Sequence, residues 1–191
     1  MFGDLHIHMI LDGVYYRAAI DAQKEHPLDG LVRARLSDYQ ARGVCLLRDG
    51  GDAWGVSLRA RELAGEYGID YRSPAFPIYR RGHYGAFIGR GFDTEDEYRA
   101  LLDEAGEKRA DFIKLMISGL IDFDHFGVLT EPGPEPQDIR RMIELAHAAG
   151  FAVMAHANGD RAVTAALQAG VDSIEHGAYL SESVLLHARW S

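Results

Sequence analysis

Short apolar segments alternate with helical patterns along the whole of this 191-residue chain. Six strands are predicted, over residues 3–10, 43–48, 69–78, 111–117, 151–156 and 171–175. Most of these segments are apolar without alternation, which is typical of strands covered by helices on both faces. The pattern therefore predicts parallel βα units, arranged either as a doubly wound open sheet or as a (β/α)8 barrel.

The position of the polar residues decides between these two architectures. A doubly wound nucleotide-binding sheet should carry a glycine-rich turn after an early strand, to hold phosphate. The first strand is instead followed by residues 8–13 (HMILDG), and the glycines at 50 and 51 are too weak a signal to count. Polar groups stand at the carboxyl end of nearly every strand, where the strands of a barrel converge on one site. The α/β fold predicted is therefore of the TIM-barrel type.

Four histidines mark these strand ends. His6 and His8 are two residues apart, so their side chains lie on the same side of the first strand. His156 and His176 close the fifth and sixth strands. A lone histidine at such a place is usually a packing residue, but four at the same ends of successive strands favour a metal site.

Lys114 stands inside the apolar run Phe112–Ile117. An ammonium buried beside a metal ion is electrostatically unfavourable, so this lysine should be neutral or chemically altered. Addition of carbon dioxide would give it two anionic oxygens that can bridge two metals. The residues leave open a lysine that extends to the rim or pairs with Asp122 or Asp124, and a Schiff-base lysine.

Five segments together resemble the amidohydrolase superfamily, most closely its imidazolonepropionase and Xaa-Pro or Xaa-Arg dipeptidase-like branch. They are DLHIH at 4–8, VCLLRD at 44–49, DFIKLMISG at 111–119, MAHANG at 154–159 and SIEHG at 173–177. The His-x-His pair alone is moderately specific. Combined with the other segments it is a strong signal that covers essentially the whole chain.

The resemblance implies a (β/α)8 barrel with two divalent metal ions, usually zinc. His6 and His8 would hold the more buried ion, and His156 and His176 the second. Carboxylated Lys114 would bridge the two together with a hydroxide, which makes it both a metal ligand and a catalytic residue. The hydroxide would attack a carbonyl whose oxygen the second metal polarises, and the C–N bond of a small amide, cyclic amide or dipeptide would be hydrolysed.

The family also places an aspartate at the end of the eighth strand, as a metal ligand and proton shuttle. The sequence ends within the sixth predicted helix, so residues 1–191 are expected to form one barrel domain with about six βα units, lacking the last two. A fragment or a truncated gene is the favoured explanation for the two missing βα units. A homo-oligomer, in which a second copy covers the gap, is the other arrangement considered.

Weaker predictions concern the substrate. Arg48 at the end of the second strand, and the loop residues Arg81, His83 and Tyr84, are candidates to bind a carboxylate or carbonyl. Arg81, His83 and Tyr84 are explained equally well as residues of a solvated loop. Glu175 directly precedes a proposed ligand, so strand alternation predicts that it points away from the metals and gives structural support.

Composition limits the function classes. The formal net charge of −9 disfavours nucleic acid as a main partner. No run of eighteen apolar residues and no signal peptide are visible, so no membrane association and a cytoplasmic location are expected. Cys45, the one cysteine, is expected to be a buried thiol. Alternative functions are a barrel phosphoesterase, or a catalytically impaired metal-binding remnant.

Overall fold

The computed structural model describes residues 2–188, in which parallel strands alternate with helices. The strands are β1 Phe2–Ile7, β2 Val44–Asp49, β3 Asp70–Arg72, β4 Pro77–Arg80, β5 Arg90–Phe92, β6 Ile113–Met116, β7 Val153–Ala157 and β8 Ser173–His176. The helices are α1 Tyr16–Asp21, α2 Asp29–Ala41, α3 Val56–Ala64, α4 Glu95–Glu107, α5 Pro136–Ala148, α6 Gly159–Gln168 and α7 Glu182–Ala188. The elements follow the predicted order.

The third predicted strand is split in two. β3 pairs with β2, whereas β4 pairs with β6, so the strands form two parallel sheets in the orders β1-β2-β3 and β5-β4-β6-β7-β8. Between β3 and β4, Pro74 has no amide hydrogen to donate and Ala75 adopts a left-handed φ of 65°. These two residues explain why one continuous strand does not form. The three-residue strand β5 was not predicted.

The core lies between the strands and the helices that cover them, in two clusters. One cluster packs α4, α5 and α6 against β4, β6 and β7, and the other packs α2 and α3 against β1, β2 and β3. Every residue of β6 and β7 is buried. These two central strands are therefore the most rigid supports for the polar side chains that they carry.

Local signals account for several element ends. The Thr94 side chain accepts a hydrogen bond from the Glu97 amide at the start of α4, as the predicted capping box requires. β1 ends at Ile7, three residues before the predicted end, so His8 lies just outside the strand. Cys45 is only partly buried, contrary to the prediction, because it lies on β2 next to the exposed Phe2 of the sheet edge. Within residues 2–188, no helix combines the length and apolarity needed to cross a bilayer.

Candidate metal centre

The four predicted histidines lie together at the carboxyl ends of the strands. The ring centroids of His6 and His8 are 5.5 Å apart, and those of His6 and His176 are 4.9 Å apart. The His156 ring lies 4.6 Å from that of His176. Side chains separated by 170 positions in the sequence thus form one continuous group of imidazoles, which we call the histidine cluster.

The glycines that follow β2 hold His8 in this cluster. The His8 Nδ1 atom lies 3.0 Å from the Gly51 carbonyl oxygen, which can only accept, so Nδ1 carries the hydrogen and Nε2 has the free lone pair. A β-carbon on Gly50 would overlap the His8 ring, and Gly51 has a φ of 81°. The Gly-Gly pair therefore provides space for His8 rather than a phosphate cradle.

Asp49 fixes the loop that presents His8. Its buried carboxylate accepts hydrogen bonds from the amides of Met9 (3.1 Å) and Gly51 (2.6 Å) and from the Tyr71 hydroxyl. Burial raises the pKa of Asp49 to about 6. The side chain thereby joins the ends of β1, β2 and β3, a role that the sequence pattern does not indicate.

We expect Asp49→Ala to lower the free energy of unfolding by roughly 3 to 5 kcal/mol, because it leaves three buried donors without an acceptor. Urea unfolding of the full chain measures this loss. Asp21→Ala is the control, since the Asp21 carboxylate is exposed and bonds the exposed Lys24. Equal stability losses in the two variants would contradict the anchoring role of Asp49.

Lys114 is fully buried on β6, and its Nζ atom has no hydrogen-bond partner among residues 2–188. It pairs in register with Met154, two residues before His156, so its side chain lies on the same side of the sheet as His156 and deeper. Burial lowers the pKa of Lys114 to about 7, against a smaller opposing effect of Glu175. The lysine neither reaches the rim nor pairs with Asp122 or Asp124 in this structure.

Three histidines of the cluster are held in the neutral form that binds metals: the buried His156, the partly buried His8 and the more exposed His176. Burial lowers the pKa of His8 and of His156 to about 3, and that of His176 to about 4. The positive charge of Lys114 acts in the same direction on all three. The His156 Nε2 atom donates to the Gly119 carbonyl at 3.1 Å, which leaves Nδ1 with its lone pair.

Glu175 does not point away from the cluster, so that prediction is wrong. β8 pairs with β7 in a register that sets Glu175 beside His156, and residues side by side in a ladder face the same side. His176 also reaches the cluster because it leaves the extended conformation, with a φ of 72°. A left-handed non-glycine residue costs about 1 to 3 kcal/mol and is typical of functional sites.

The Glu175 carboxylate connects β8 to the residues of β1 and β2. Its Oε2 atom lies 3.1 Å from Nδ1 of His6, and its Oε1 atom lies 2.6 Å from Nη2 of Arg48. Burial alone would raise the pKa of Glu175. Hydrogen bonds from His6 and Ser173, and neighbouring cationic groups, lower it to about 2, so the carboxylate is ionised at neutral pH.

The four residues predicted to contact substrate lie in different surroundings. The partly buried Arg48 bonds Glu175, whereas Arg81 forms ion pairs with acidic groups at the surface, Asp93 and Glu97. The Tyr84 ring lies 5.0 Å from the His156 ring, at the edge of the histidine cluster. His83 is next to it in the same loop.

Glu131 holds this loop in place and was missed by the sequence analysis. Its carboxylate contacts Nδ1 of His83 at 3.0 Å and accepts from the Tyr84 amide at 3.1 Å and the Gly133 amide at 2.7 Å. The loops after β4 and β6 are joined by these bonds. No pattern in the sequence pairs residues 83 and 131, which lie in separate irregular segments.

The chemistry of the histidine cluster fits a divalent cation. Neutral imidazoles with free lone pairs are the commonest nitrogen ligands of zinc, and Lys114 leaves an orphaned polar atom among them. Across residues 2–188, no three His, Cys, Asp or Glu side chains are already arranged as a metal-binding group. The rings pack against one another, so their nitrogens do not yet converge on one point.

The amidohydrolase family model matches residues 56–188, more than half of the chain. The chain belongs to the amidohydrolase family. Among curated proteins, ochratoxinase from Aspergillus niger is 28% identical over 146 residues, which cover 74% of this chain and 28% of the relative. The family membership confirms the resemblance on which the metal prediction depends.

Solved structures confirm the fold of this amidohydrolase. The crystal structure of A. niger ochratoxinase superposes with a TM-score of 0.72 at 19% identity, over 98% of this chain and 49% of that one. A prolidase complexed with N-methylphosphonate-L-proline gives 0.69 at 24% identity, over 98% and 50%. This chain thus spans about half the length of these structures, and its βα units form part of a TIM-type barrel.

Proposed function

We propose that this amidohydrolase chain carries the histidine and lysine part of a metal-dependent site that hydrolyses C–N bonds in small amides or dipeptides. The observation that carries the proposal is that His6, His8, His156 and His176 lie together at the carboxyl ends of β1, β7 and β8. Family membership supports it. The names of two similar structures, an Xaa-Pro dipeptidase and phenylurea hydrolase B, indicate peptide and urea C–N bonds as the substrate class.

The histidine cluster would hold two divalent cations, zinc in the first place, with His6 and His8 on one and His156 and His176 on the other. When bound, such ions lower the pKa of water and polarise a carbonyl oxygen, which makes hydrolysis feasible near neutral pH. The tautomers of His8 and His156 are already fixed by carbonyl groups of the chain, so each presents one lone pair.

Lys114 would supply the bridging ligand as a carbamate. With a pKa near 7, much of the buried amine is neutral at physiological pH and is therefore nucleophilic. A bond forms between Nζ and the carbon of carbon dioxide, and one proton passes from nitrogen to water. The product is anionic, which removes the problem of a cationic lysine beside metal ions.

The loop that contains His83 and Tyr84 would contact the substrate. Tyr84 lies against His156, and the bonds to Glu131 hold the loop at the edge of the histidine cluster. A phenol and an imidazole at this place can donate hydrogen bonds to a substrate carbonyl or carboxylate. Arg81 is directed into surface ion pairs and would contribute less.

Turnover assays with the metal-loaded chain test this function. We expect Zn²⁺, Co²⁺ or Mn²⁺ to be bound and at least one Xaa-Pro dipeptide, N-acyl amino acid or phenylurea to be hydrolysed. Bis(p-nitrophenyl) phosphate is the comparison substrate. Turnover of the phosphodiester alone would indicate a phosphoesterase, and bound cations without turnover of any substrate would indicate a catalytically impaired remnant. Either result contradicts the proposal.

A further inference from the structure

We propose that Glu175 is a positioning residue, which fixes His6 in the tautomer that presents Nε2 to a cation, and that Arg48 orients Glu175 for this task. The inference builds on the proposed function, because it assigns the supports of one of its ligands. It also gives Arg48 a role in holding Glu175, beside the predicted substrate contact.

The hydrogen-bond pattern around the carboxylate carries the argument. Oε1 of Glu175 receives the Arg48 Nη2 donor at 2.6 Å and the Ser173 hydroxyl. Oε2 is left to contact Nδ1 of His6 at 3.1 Å. Arg48 is itself held, since its Nε atom donates to the Leu5 carbonyl at 2.7 Å. One carboxylate oxygen therefore binds Arg48 and Ser173, and the other contacts His6.

An ionised carboxylate can only accept hydrogen bonds, so Nδ1 of His6 must be the donor. In a neutral imidazole the lone pair then resides on Nε2. The Glu175 side chain is buried, with the residue 7% exposed, so water does not compete for this contact. The bond joins β8 to β1, which belong to different sheets among the described residues. This hydrogen bond thus links a proposed metal ligand in one sheet to a carboxylate in the other.

Glutamine at this position would reverse the pattern. Arg48 has only donors, so it would draw the amide oxygen of the glutamine to itself. The amide NH₂ group would then face His6 and require Nδ1 as an acceptor. His6 would then carry its hydrogen on Nε2, so Nε2 would have no lone pair to offer a cation. Replacing Arg48 as well by methionine frees the amide to turn, so that its oxygen faces His6 again.

The test records long-range ¹H–¹⁵N correlations of the full chain labelled with ¹⁵N-histidine, without metal, at pH 8.5. His6→Gln identifies the His6 signals. We expect the hydrogen on Nδ1 of His6 in the wild-type chain, on Nε2 in Glu175→Gln, and on Nδ1 again in Glu175→Gln/Arg48→Met. Competition with a chelator should show about 10- to 100-fold weaker Zn²⁺ binding for Glu175→Gln. The double variant should recover part of this loss.

Asp172→Asn is the matched control, because Asp172 forms a similar carboxylate–imidazole pair with His147 at 2.9 Å, and an asparagine oxygen can still accept the hydrogen bond from the Val153 amide. It should leave the His6 tautomer and Zn²⁺ affinity unchanged. A Glu175→Gln chain that keeps hydrogen on Nδ1 of His6 and binds Zn²⁺ as wild type would overturn the inference. If the wild-type chain binds no cation, the proposed function fails, while the tautomers still decide the role of Glu175.

Discussion

His176→Ala is expected to abolish cation binding at the histidine cluster. The His176 ring lies between two other imidazoles of the cluster, with His6 at 4.9 Å and His156 at 4.6 Å between ring centroids. Its removal takes away a ligand and separates the remaining groups. Metal analysis of the chain after incubation with Zn²⁺ and gel filtration measures the effect, and His6→Ala should show the same loss.

His147→Ala is the control for this experiment. His147 lies on α5 and pairs with Asp172, so its removal changes the histidine count without touching the cluster. The variant should bind as much zinc as the wild-type chain. Equal zinc content in His176→Ala and the wild-type chain would show that any bound ions are held elsewhere.

We expect Lys114→Ala to weaken cation binding about 10- to 100-fold or more. Loss of a group that only supports a metal ligand already lowers the affinity of a metal site by this factor. The substitution removes the nitrogen that would carry the bridging carboxylate, and it leaves a space in a fully buried position. Acetate or propionate can enter that space and supply a carboxylate. We therefore expect partial recovery of zinc affinity and turnover with these acids.

Lys108→Ala provides the comparison, because the exposed Lys108 side chain follows the end of α4 and its Nζ atom lies 3.8 Å from the Glu104 carboxylate. It should change neither zinc affinity nor turnover, with or without added acid. Mass spectrometry under native conditions should detect an added carboxyl group on the wild-type chain and not on Lys114→Ala. Full zinc content and activity in Lys114→Ala would contradict the bridging role.

The order of strands and helices could be predicted because the local pattern and the fold agree. Apart from Lys114 and His156, residues 113–116 and 153–157 are apolar without alternation, and both strands are buried throughout. The four histidines could be placed together for the same reason, since parallel strands bring their carboxyl ends to one edge. Lys114 stood out because a lysine inside such a run has no solvent to reach.

The side-chain contacts between strands could not be predicted from the sequence pattern. Counting back from His176 placed Glu175 on the wrong side, because the left-handed φ of His176 interrupts the alternation and the register to β7 sets the true direction. The split between β3 and β4 depends on which neighbour each half pairs with. Such information is tertiary, and a single sequence does not contain it as a local signal.

The most direct test is an anomalous difference map from a crystal of the full chain grown with Zn²⁺, recorded on both sides of the zinc absorption edge. The account predicts zinc peaks bounded by His6, His156, His176 and Lys114. Zinc found only at outer histidines such as His147, with none in contact with His6 or His176, would contradict it.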